Sequence, residues 1–263
     1  MTSGARLREI GPEEIPKLPD LLPVLPLKEA VLYPFIIVPL SVGREASIRA
    51  VDESLSEHRL IVLVAQRDPT VDEPRAEDLH PVGTVAAIMR MLKLPDGRIR
   101  ILAQGVARVR IEHLSHGEPF LQARVERIPE APVPEPTLEV QALVRSAKEA
   151  MDRVVALGKG VSPEVLVLVA NLEDPGRLAD LVASNLELSL DDAQAVLEEL
   201  DPIRRLHKVA EHMHREIQLL TMQQEISSSW RGETGRFSQA FSSPRSNLPR
   251  SNSCREPSFL TTL

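Results

Sequence analysis

A run of four prolines divides this chain into two parts that have different hydrophobic periodicities. The prolines lie at positions 129, 132, 134 and 136 of a chain of 263 residues. Before this run, apolar and polar residues alternate at every second position, which is typical of β-strands. After it, apolar residues recur every three or four positions, as they do in amphipathic helices. We therefore expect residues 129–137 to link a β-rich part to a helical part, which gives an α+β fold class.

The first part, residues 21–128, carries several strand signals and one helix signal. A Pro-Asp-Gly turn at residues 95–97 separates two strands, and the second of these strands and two later segments alternate between an apolar and a charged face. Strands are predicted at residues 22–27, 35–40, 59–65, 82–94, 98–104, 107–112 and 121–126, and a short helix at residues 46–56. About six strands in roughly 110 residues predict a small closed or nearly closed barrel. Its charged face, which includes Arg100, Arg108 and Arg110, is expected to be exposed to solvent.

Prolines restrict the first two of these strands. Pro23 and Pro26 lie in the first strand, and Pro34 and Pro39 lie beside or within the second. Because proline has no backbone N–H to donate to a neighbouring strand, both strands are expected at edges or bends of the sheet. The strand at residues 59–65 is instead almost continuously apolar, which predicts a strand that is buried on both faces.

The second part, residues 138–200, has the pattern of a helical bundle. Apolar residues repeat at helical spacing from residue 139 to residue 157. Three later helices are expected to begin at Ser162-Pro163, Asp174-Pro175 and Asp201-Pro202, because the first side chain can cap a free backbone N–H and the proline suits the first helical position. A fourth start at Ser189 resembles a capping box.

The last helix, residues 201–226, carries a heptad pattern. Its apolar residues are spaced alternately by three and four positions, at Ile203, Leu206, Ala210, Met213, Ile217 and Leu220. A period of 3.5 is typical of pairing with another helix, which makes these six residues candidates for self-association through a coiled coil. The alternative is a final bundle helix that packs on residues 139–200. The coiled coil is preferred for the second half of this helix, where glutamines make the apolar face narrower.

Residues 227–263 have a different composition from the rest of the chain. They hold ten Ser, five Arg and three Pro with no helical or strand period, so we expect them to be disordered, as we expect residues 1–20 to form a flexible leader. The change falls in mid-heptad with no Gly or Pro stop signal. Our hypothesis is that this tail results from out-of-frame translation of a longer gene, which sequencing across the codons near Ile226 would test.

Composition and charge exclude several classes of protein. Because residues 227–263 contribute +3 to the net charge of −7, residues 1–226 carry −10, which disfavours nucleic-acid binding. No apolar run approaches the roughly 20 residues that span a bilayer, and the N-terminus lacks a signal peptide. The single cysteine, Cys254, fits a reducing compartment. We therefore expect a cytoplasmic chain with no membrane and no nucleic-acid partner.

No motif for catalysis, cofactor binding or metal binding is present. The nearest string to a phosphate-binding loop, Gly158-Lys159-Gly160, lacks both the first glycine and the Ser or Thr that would bind magnesium. The seven histidines have no zinc-ligand spacing, since His212 and His214 face different sides of a helix. No Ser, Cys or Lys lies in a nucleophile motif. We therefore predict no catalytic residue, no cofactor and no metal for this chain.

Three groups of short segments follow one another in order from residue 22 to residue 206. The first comprises residues 22–27, 33–34 and 38–45; the second comprises residues 63–66, 68, 82–86 and 92–97; the third comprises residues 174–180, 197–201 and 205–206. Each segment alone is a weak signal. Their order and spacing together resemble the N-terminal region of the Lon family of ATP-dependent proteases.

This resemblance implies a fold and a role. The fold is a six-stranded, barrel-like (PUA-like) subdomain joined to a helical bundle, followed by a long helix that leads to an AAA+ ATPase module and a serine–lysine protease domain. In that family the N-terminal region captures unfolded or tagged substrate proteins and helps a hexamer to assemble, in protein quality control. This chain is expected to stop before the catalytic machinery, so that it is not an enzyme by itself.

Candidate contacts for an unfolded substrate lie at the proline-containing second strand. An exposed apolar edge could engage an extended segment by edge pairing or by apolar contact, and a charged helix start borders it; the candidates are Pro34, Phe35, Ile37, Leu40, Arg44 and Glu45. The alternative is that the apolar members are barrel core. Two other functions remain open: part of an ATP-dependent endopeptidase whose catalytic domains follow, and a stand-alone Lon N-terminal-domain protein with a regulatory or ligand-binding role.

Overall fold

Six strands form one mixed sheet in the computed structural model, which describes residues 18–115, 119–131 and 137–241, with side chains as far as residue 226. The strands are β1 (Leu22–Leu27), β2 (Ile37–Val42), β3 (Leu60–Ala65), β4 (Val82–Lys93), β5 (Ile99–Ser115) and β6 (Gln122–Arg127). Their order is β2-β5-β4-β3-β1-β6, and β5 pairs additionally with β6. β1 and β3 run parallel, whereas the other pairs are antiparallel.

The strand count predicted a closed or nearly closed barrel, and the closed form is wrong. β6 pairs with both β1 and β5, but its ladder with β1 has two residue pairs only, Leu22 with Ala123 and Pro23 with Gln122. Among the described strands β2 pairs with β5 alone, so one edge of the sheet stays unpaired. The fold is therefore a mixed sheet that is combined with helices.

Strand β5 is one strand of 17 residues, where the sequence predicted two strands between residues 98 and 112. Its pairing with β4 shifts register between Val85 and Ala86, opposite Gly105. A β-bulge of this kind bends a strand without ending it. Gly105 also permits a close crossing, because a Cβ at this position would lie 2.2 Å from the carbonyl oxygen of Tyr33. The glycine therefore marks a bend and a crossing within one strand.

Strand β1 lies inside the sheet, between β3 and β6, although Pro23 and Pro26 predicted an edge position. The ladder with β3 begins at Val24, and the ladder with β6 ends at Pro23. The two ladders do not overlap along the strand, so each neighbouring strand pairs with only part of β1. Neither ladder therefore needs a backbone N–H donor from every residue of β1. Of the two predicted positions, edge or bend, the edge is therefore wrong for β1, whereas it is confirmed for β2, which contains Pro39.

Apolar layers cover both faces of the sheet. Helix α1 (Glu45–Ser56) packs Ala50 and Val51 against one face, in a cluster that includes Ile61 and Ile101. The other face contributes a second cluster that includes Val62, next to Ile61 in the chain. Neighbouring residues of β3 thus lie in different layers, which confirms the prediction that this strand is buried on both faces.

In the described part of the chain, five further helices follow the sheet. They are α2 (Leu138–Ala156), α3 (Pro163–Asn171), α4 (Pro175–Ala183), α5 (Leu190–Glu198) and α6 (Pro202–Phe241), and one 3-10 turn lies at Ala76–Asp78. The predicted caps are confirmed: Asp174 Oδ1 accepts from the N–H of Arg177 at 2.9 Å, Asp201 Oδ1 accepts from the N–H of Ile203 at 2.9 Å, and Ser162 and Ser189 cap α3 and α5. Buried side chains of α2 and α4–α6 share one apolar core.

The heptad residues of α6 pack within the chain. Leu206 and Met213 are fully buried in the helical core, and Ile203, Ala210 and Ile217 pack against it while partly buried. This arrangement is the alternative in which the helix completes the bundle. For these five residues the apolar surface is therefore used inside the chain, and the sixth, Leu220, is partly buried.

The chain divides into two compact units, Met1–Leu220 and Thr221–Leu263. The first unit holds the sheet, helices α1–α5 and α6 as far as Leu220. In the second unit, residues 221–241 are helical, so the disorder that the sequence predicted from residue 227 is not confirmed. Residues 1–17, 132–136 and 242–263 lie outside the described residues, and they include most of the predicted leader, the centre of the proline-rich linker and the end of the predicted tail.

Candidate functional site

Four charged side chains meet where the sheet contacts the helices. Arg108 comes from β5, Glu130 from the segment after β6, Asp180 from α4 and Arg205 from α6. The side chains of both arginines are fully buried, and that of Asp180 is nearly so. Burial of charges is costly unless they are paired and hydrogen-bonded. This cluster therefore has to be complete for the junction to be stable.

Hydrogen bonds satisfy most of these charges. Arg108 donates from Nη2 to Asp180 Oδ1 at 2.6 Å, from Nη1 to Glu130 Oε1, and from Nε to the carbonyl oxygen of Leu197 at 2.9 Å. Arg205 donates from Nη2 to Glu130 Oε2 at 3.2 Å, and its Nε lies 3.6 Å from Asp180 Oδ1. Burial raises the pKa of the Asp180 carboxyl, against the lowering effect of the two guanidinium groups.

The burial of Arg108 corrects a prediction from the strand pattern. Arg108 alternates with apolar neighbours in β5, so the sequence placed it on the wet face of the sheet together with Arg110. Arg110 is exposed as expected, but Arg108 is only 1% exposed. Alternation shows which residues share a face, and it does not show which part of that face the helices later cover.

Two neutral hydrogen bonds also join the sheet region to helix α5. The hydroxyl of Tyr33 donates to the carbonyl oxygen of Ala193 at 2.9 Å, and Gln194 Nε2 donates to the carbonyl oxygen of Val82 at 3.0 Å. Burial is the main cause that raises the pKa of Tyr33, which keeps the phenol protonated as a donor. These contacts and the charge cluster hold the helices on the sheet.

A cleft of about 730 Å³ opens beside the N-terminus of α1. Arg44 and Glu45, which the sequence predicted as substrate contacts, lie at this helix start and line the cleft. Further lining comes from β1, from residues 72–75 and from residues 119–121. Much of the lining is apolar: Val24, Pro26, Ala46, Pro74, Pro119, Phe120 and Leu121. An apolar cleft with a few polar groups is the usual form of a binding site.

Polar contacts fix the walls of this cleft. Arg44 Nη2 donates to Gln66 Oε1 at 2.6 Å, and Gln66 Nε2 donates to the carbonyl oxygen of Val71 at 2.9 Å. Lys28 Nζ lies 2.7 Å from Asp72 Oδ1, and this hydrogen bond holds the pKa of Asp72 below its usual range. The loop that carries Asp72 is thus tied to the sheet, so the cleft is largely formed before anything binds.

The other predicted contacts do not join Arg44 and Glu45 in one site. Pro34 and Phe35 lie at the crossing over Gly105, where the N–H of Phe35 donates to the carbonyl oxygen of Gly105 at 2.8 Å. Phe35 has a φ of 65°, and the guanidinium carbon of Arg177 in α4 lies 4.2 Å from its ring centroid. This aromatic ring is therefore held against a helix by a cation–π contact.

Strand β2 separates Ile37 from Leu40. Ile37 is 43% exposed on the outer face of the sheet, whereas Leu40 is partly buried and packs against the core beneath α1. The alternative in which these residues are core is thus correct in part for Leu40 and incorrect for Ile37. Sequence reasoning predicted a strand here, but it did not resolve the two faces of that strand.

The free edge of β2 is poorly suited to strand pairing. The N–H of Gly105 donates to the carbonyl oxygen of Ile36, so with the observed register the backbone groups of residues 38, 40 and 42 face β5. The groups of Ile37, Pro39 and Ser41 then face away from the sheet. Pro39 has no N–H, which leaves the centre of the edge without a donor. We conclude that apolar contact, and not edge pairing, is open to a partner of β2.

Neither a metal-ligand cluster nor a membrane-spanning helix is found among the described residues. Within residues 18–115, 119–131 and 137–241 no group of three metal-ligating side chains is assembled. In the same part of the chain, no helix combines the length and the apolarity that crossing a bilayer requires. Lys159, from the string that resembled a phosphate-binding loop, lies 2.6 Å from Glu216 of α6 in an ion pair.

Comparison with known proteins gives relatives over most of the chain. It is 52% identical over 225 residues to the Lon protease of Geobacter metallireducens, a match that covers 86% of this chain and 27% of that protein. It is 44% identical over 211 residues to Lon protease 2 of Bdellovibrio bacteriovorus, which covers 80% of this chain and 26% of that protein. The chain therefore spans about a quarter of the length of the curated relatives it matches.

Solved structures share the fold. The N-terminal domain of the Mycobacterium avium complex Lon protease matches with a TM-score of 0.59 at 23% identity, over 74% of this chain and 98% of that one. A Lon N-terminal domain protein from Xanthomonas campestris matches with a TM-score of 0.53 at 18% identity, over 72% of this chain and 96% of that one. Residues 21–215 also match the family described as the ATP-dependent protease La (LON) substrate-binding domain. The chain thus belongs to the Lon family, within which it contains the substrate-binding domain.

Proposed function

We propose that this chain binds substrate proteins for a Lon-type ATP-dependent protease through the cleft beside α1. The observation that carries the proposal is an open apolar cleft of about 730 Å³ in a domain of the substrate-binding family. Its walls combine proline and aromatic surface with five charged residues, which are Arg44, Glu45, Asp72, Glu73 and Arg75. An unfolded segment presents apolar side chains that a folded protein hides, so such a lining favours unfolded or damaged clients.

The wider role follows from the same proposal. In the complete protein, ATPase and serine protease domains would unfold and cleave the captured client, in a homo-oligomer, a hexamer in this family, that serves protein quality control in the cytoplasm. Support comes from the identity of 52% to a full-length Lon protease, of which this chain covers 27%. In this division of labour the present chain supplies binding and positioning, and the bond-breaking steps belong to the other domains.

A binding measurement tests the proposal. Fluorescence anisotropy would follow the complete chain as it binds a labelled, permanently unfolded client. Ala46 is exposed and lines the cleft, so Ala46→Arg should block it and weaken binding by about tenfold or more. Ala142 is equally exposed on α2, outside the cleft lining, so Ala142→Arg adds the same side chain and should leave binding unchanged.

Other results would contradict the proposal. Equal binding by wild type and Ala46→Arg would show that the cleft is not the site. Absence of binding at tens of micromolar would remove the client-binding role from this chain and favour the alternative, a stand-alone Lon N-terminal-domain protein with a regulatory or ligand-binding role.

A further inference from the structure

The outer face of β2, β5 and β4 carries an apolar surface with two arginines. The observed registers place Pro39 beside Leu102 and Arg90 in one row across the three strands, and Ser41 beside Arg100 and Leu92 in the next row. Ile37 precedes these rows on the same face of β2. Residues that are directly opposite on neighbouring strands have Cβ atoms about 5 Å apart. We name this surface the outer sheet face; it consists of Ile37, Pro39, Arg90, Leu92, Arg100 and Leu102.

The side chains of this face are more exposed to solvent than the side chains on the covered parts of the sheet. Leu92 is 60% exposed and Ile37 is 43% exposed, and both rank among the large apolar side chains that the described structure leaves in solvent. The intervening residues of the same strands, such as Val42, Ile99 and Ile101, are buried beneath α1. The outer sheet face is therefore an apolar surface that no described element covers.

The charge of this face is opposite to that of the body. Residues 1–226 carry −10, yet the outer sheet face contains two arginines and no acidic residue. Two other exposed arginines have carboxylate partners: Arg98 pairs with Asp96, and Arg110 lies 3.8 Å from Glu126. Among the described side chains no acidic group lies within ion-pair distance of Arg90 or Arg100. Both guanidinium groups are thus available to carboxylates from another molecule.

We propose that the outer sheet face is a second client-binding surface that selects extended segments in which apolar residues alternate with Asp or Glu. The apolar side chains of such a segment would lie on Ile37, Pro39, Leu92 and Leu102, while its carboxylates would pair with Arg90 and Arg100. This inference rests on the proposed function and adds a substrate class to it. Side-chain contact is the mode of binding, because Pro39 interrupts the donors of the β2 edge.

The test uses a pair of labelled peptides and the complete chain. One peptide alternates leucine with glutamate, and the other alternates leucine with lysine. Wild type should bind the glutamate peptide about tenfold more tightly than the lysine peptide, and added salt should reduce the difference. The double variant Arg90→Glu/Arg100→Glu should reverse the preference. The matched control, Arg145→Glu/Arg153→Glu on exposed positions of α2, changes the net charge equally and should keep the wild-type preference.

The apolar part of the surface has its own variant. Leu92→Ser removes an exposed leucine from the outer sheet face, so it should weaken both peptides by a similar factor without changing their ratio. Leu138 is 83% exposed at the start of α2, and Leu138→Ser is the matched control that should leave binding unchanged.

Each contrary result has a distinct meaning. Suppose that the unfolded client binds in the cleft-dependent way described above, but that the two peptides bind equally. The proposal for the outer sheet face is then overturned, and the proposed function stands. If neither the client nor the peptides bind, both proposals fail. If light scattering shows a dimer that Arg90→Glu/Arg100→Glu dissociates, the face contacts a second copy, and the client-binding role is again overturned.

Discussion

Nη2 of Arg108 lies 2.6 Å from Oδ1 of Asp180, and this contact joins the centre of the sheet to helix α4. Both side chains are almost completely withdrawn from water. Arg205 of α6 forms an ion pair with the same carboxylate, and Glu130 pairs with both arginines. Two cationic and two anionic side chains thus form one ion-pair network. The position of the helices on the sheet therefore depends on electrostatic pairing as well as on apolar packing.

The first prediction concerns the loss of one buried charge. Asp180→Asn keeps the shape of the side chain but leaves Arg108 and Arg205 with Glu130 as their only anion. Breaking a buried pair in this way should lower the free energy of unfolding by about 3–5 kcal/mol, which urea denaturation would measure. Glu126→Gln is the control, because its pair with Arg110 is exposed and should change stability by less than about 0.5 kcal/mol. Equal effects of the two substitutions would contradict the role of the junction.

A second prediction concerns the crossing at Gly105. A Cβ at this position would lie 2.2 Å from the carbonyl oxygen of Tyr33 and 3.0 Å from Cα of Pro34, so backbone would have to move. We expect Gly105→Ala to destabilise the chain by about 2 kcal/mol or more. At Gly160 an added Cβ would meet no atom within 4 Å, so Gly160→Ala should change thermal stability little. A Gly105→Ala variant as stable as Gly160→Ala would show that the crossing is looser than described.

The third prediction concerns pH and His80. Burial is the main cause that lowers the pKa of His80 below 6.5, and Arg67 adds to it, while Glu198 and Asp191 act in the opposite direction. In the window between this lowered pKa and 6.5, the unfolded chain binds more protons at this position than the folded chain. His80 therefore contributes stability above the window, and this contribution is lost as the pH falls through it.

His80→Gln removes this titration. Urea midpoints of wild type and variant at about pH 7.5 and about pH 5 would isolate the contribution, since the other histidines are common to both chains. Wild type should lose more stability than the variant on acidification. A variant with a steeper loss than wild type would mean that the pKa of His80 is raised.

The sequence was most informative about features that depend on neighbouring residues. Ser162, Asp174, Ser189 and Asp201 cap helices as predicted, because a cap needs only a side chain and the N–H groups two or three positions later. The alternation in β5 likewise predicted an extended segment. Local patterns of this kind are complete within a few residues, so they can be read without knowledge of the fold.

Features that depend on distant segments were not predictable in this way. The sequence pattern placed Arg108 on the surface, whereas in the fold it contacts α4 and α5. The cleft draws its lining from four segments of the chain, near residues 24, 45, 73 and 120, and no local pattern brings these together. The same holds for the outer sheet face, since Arg90 and Arg100 become neighbours of Pro39 only through the registers of β4, β5 and β2.

The final prediction tests whether the heptad residues of α6 pack within one chain or pair with a second chain. Leu206 is fully buried in the helical core, so Leu206→Ala should lower the free energy of unfolding by about 2–5 kcal/mol. Leu219 is 56% exposed on the same helix, and Leu219→Ala should change it by less than about 0.5 kcal/mol. Neither substitution should change the molar mass in solution, because the packing of Leu206 is satisfied within one chain. An oligomer that Leu206→Ala converts to a monomer of unchanged stability would show instead that this seam pairs with another chain.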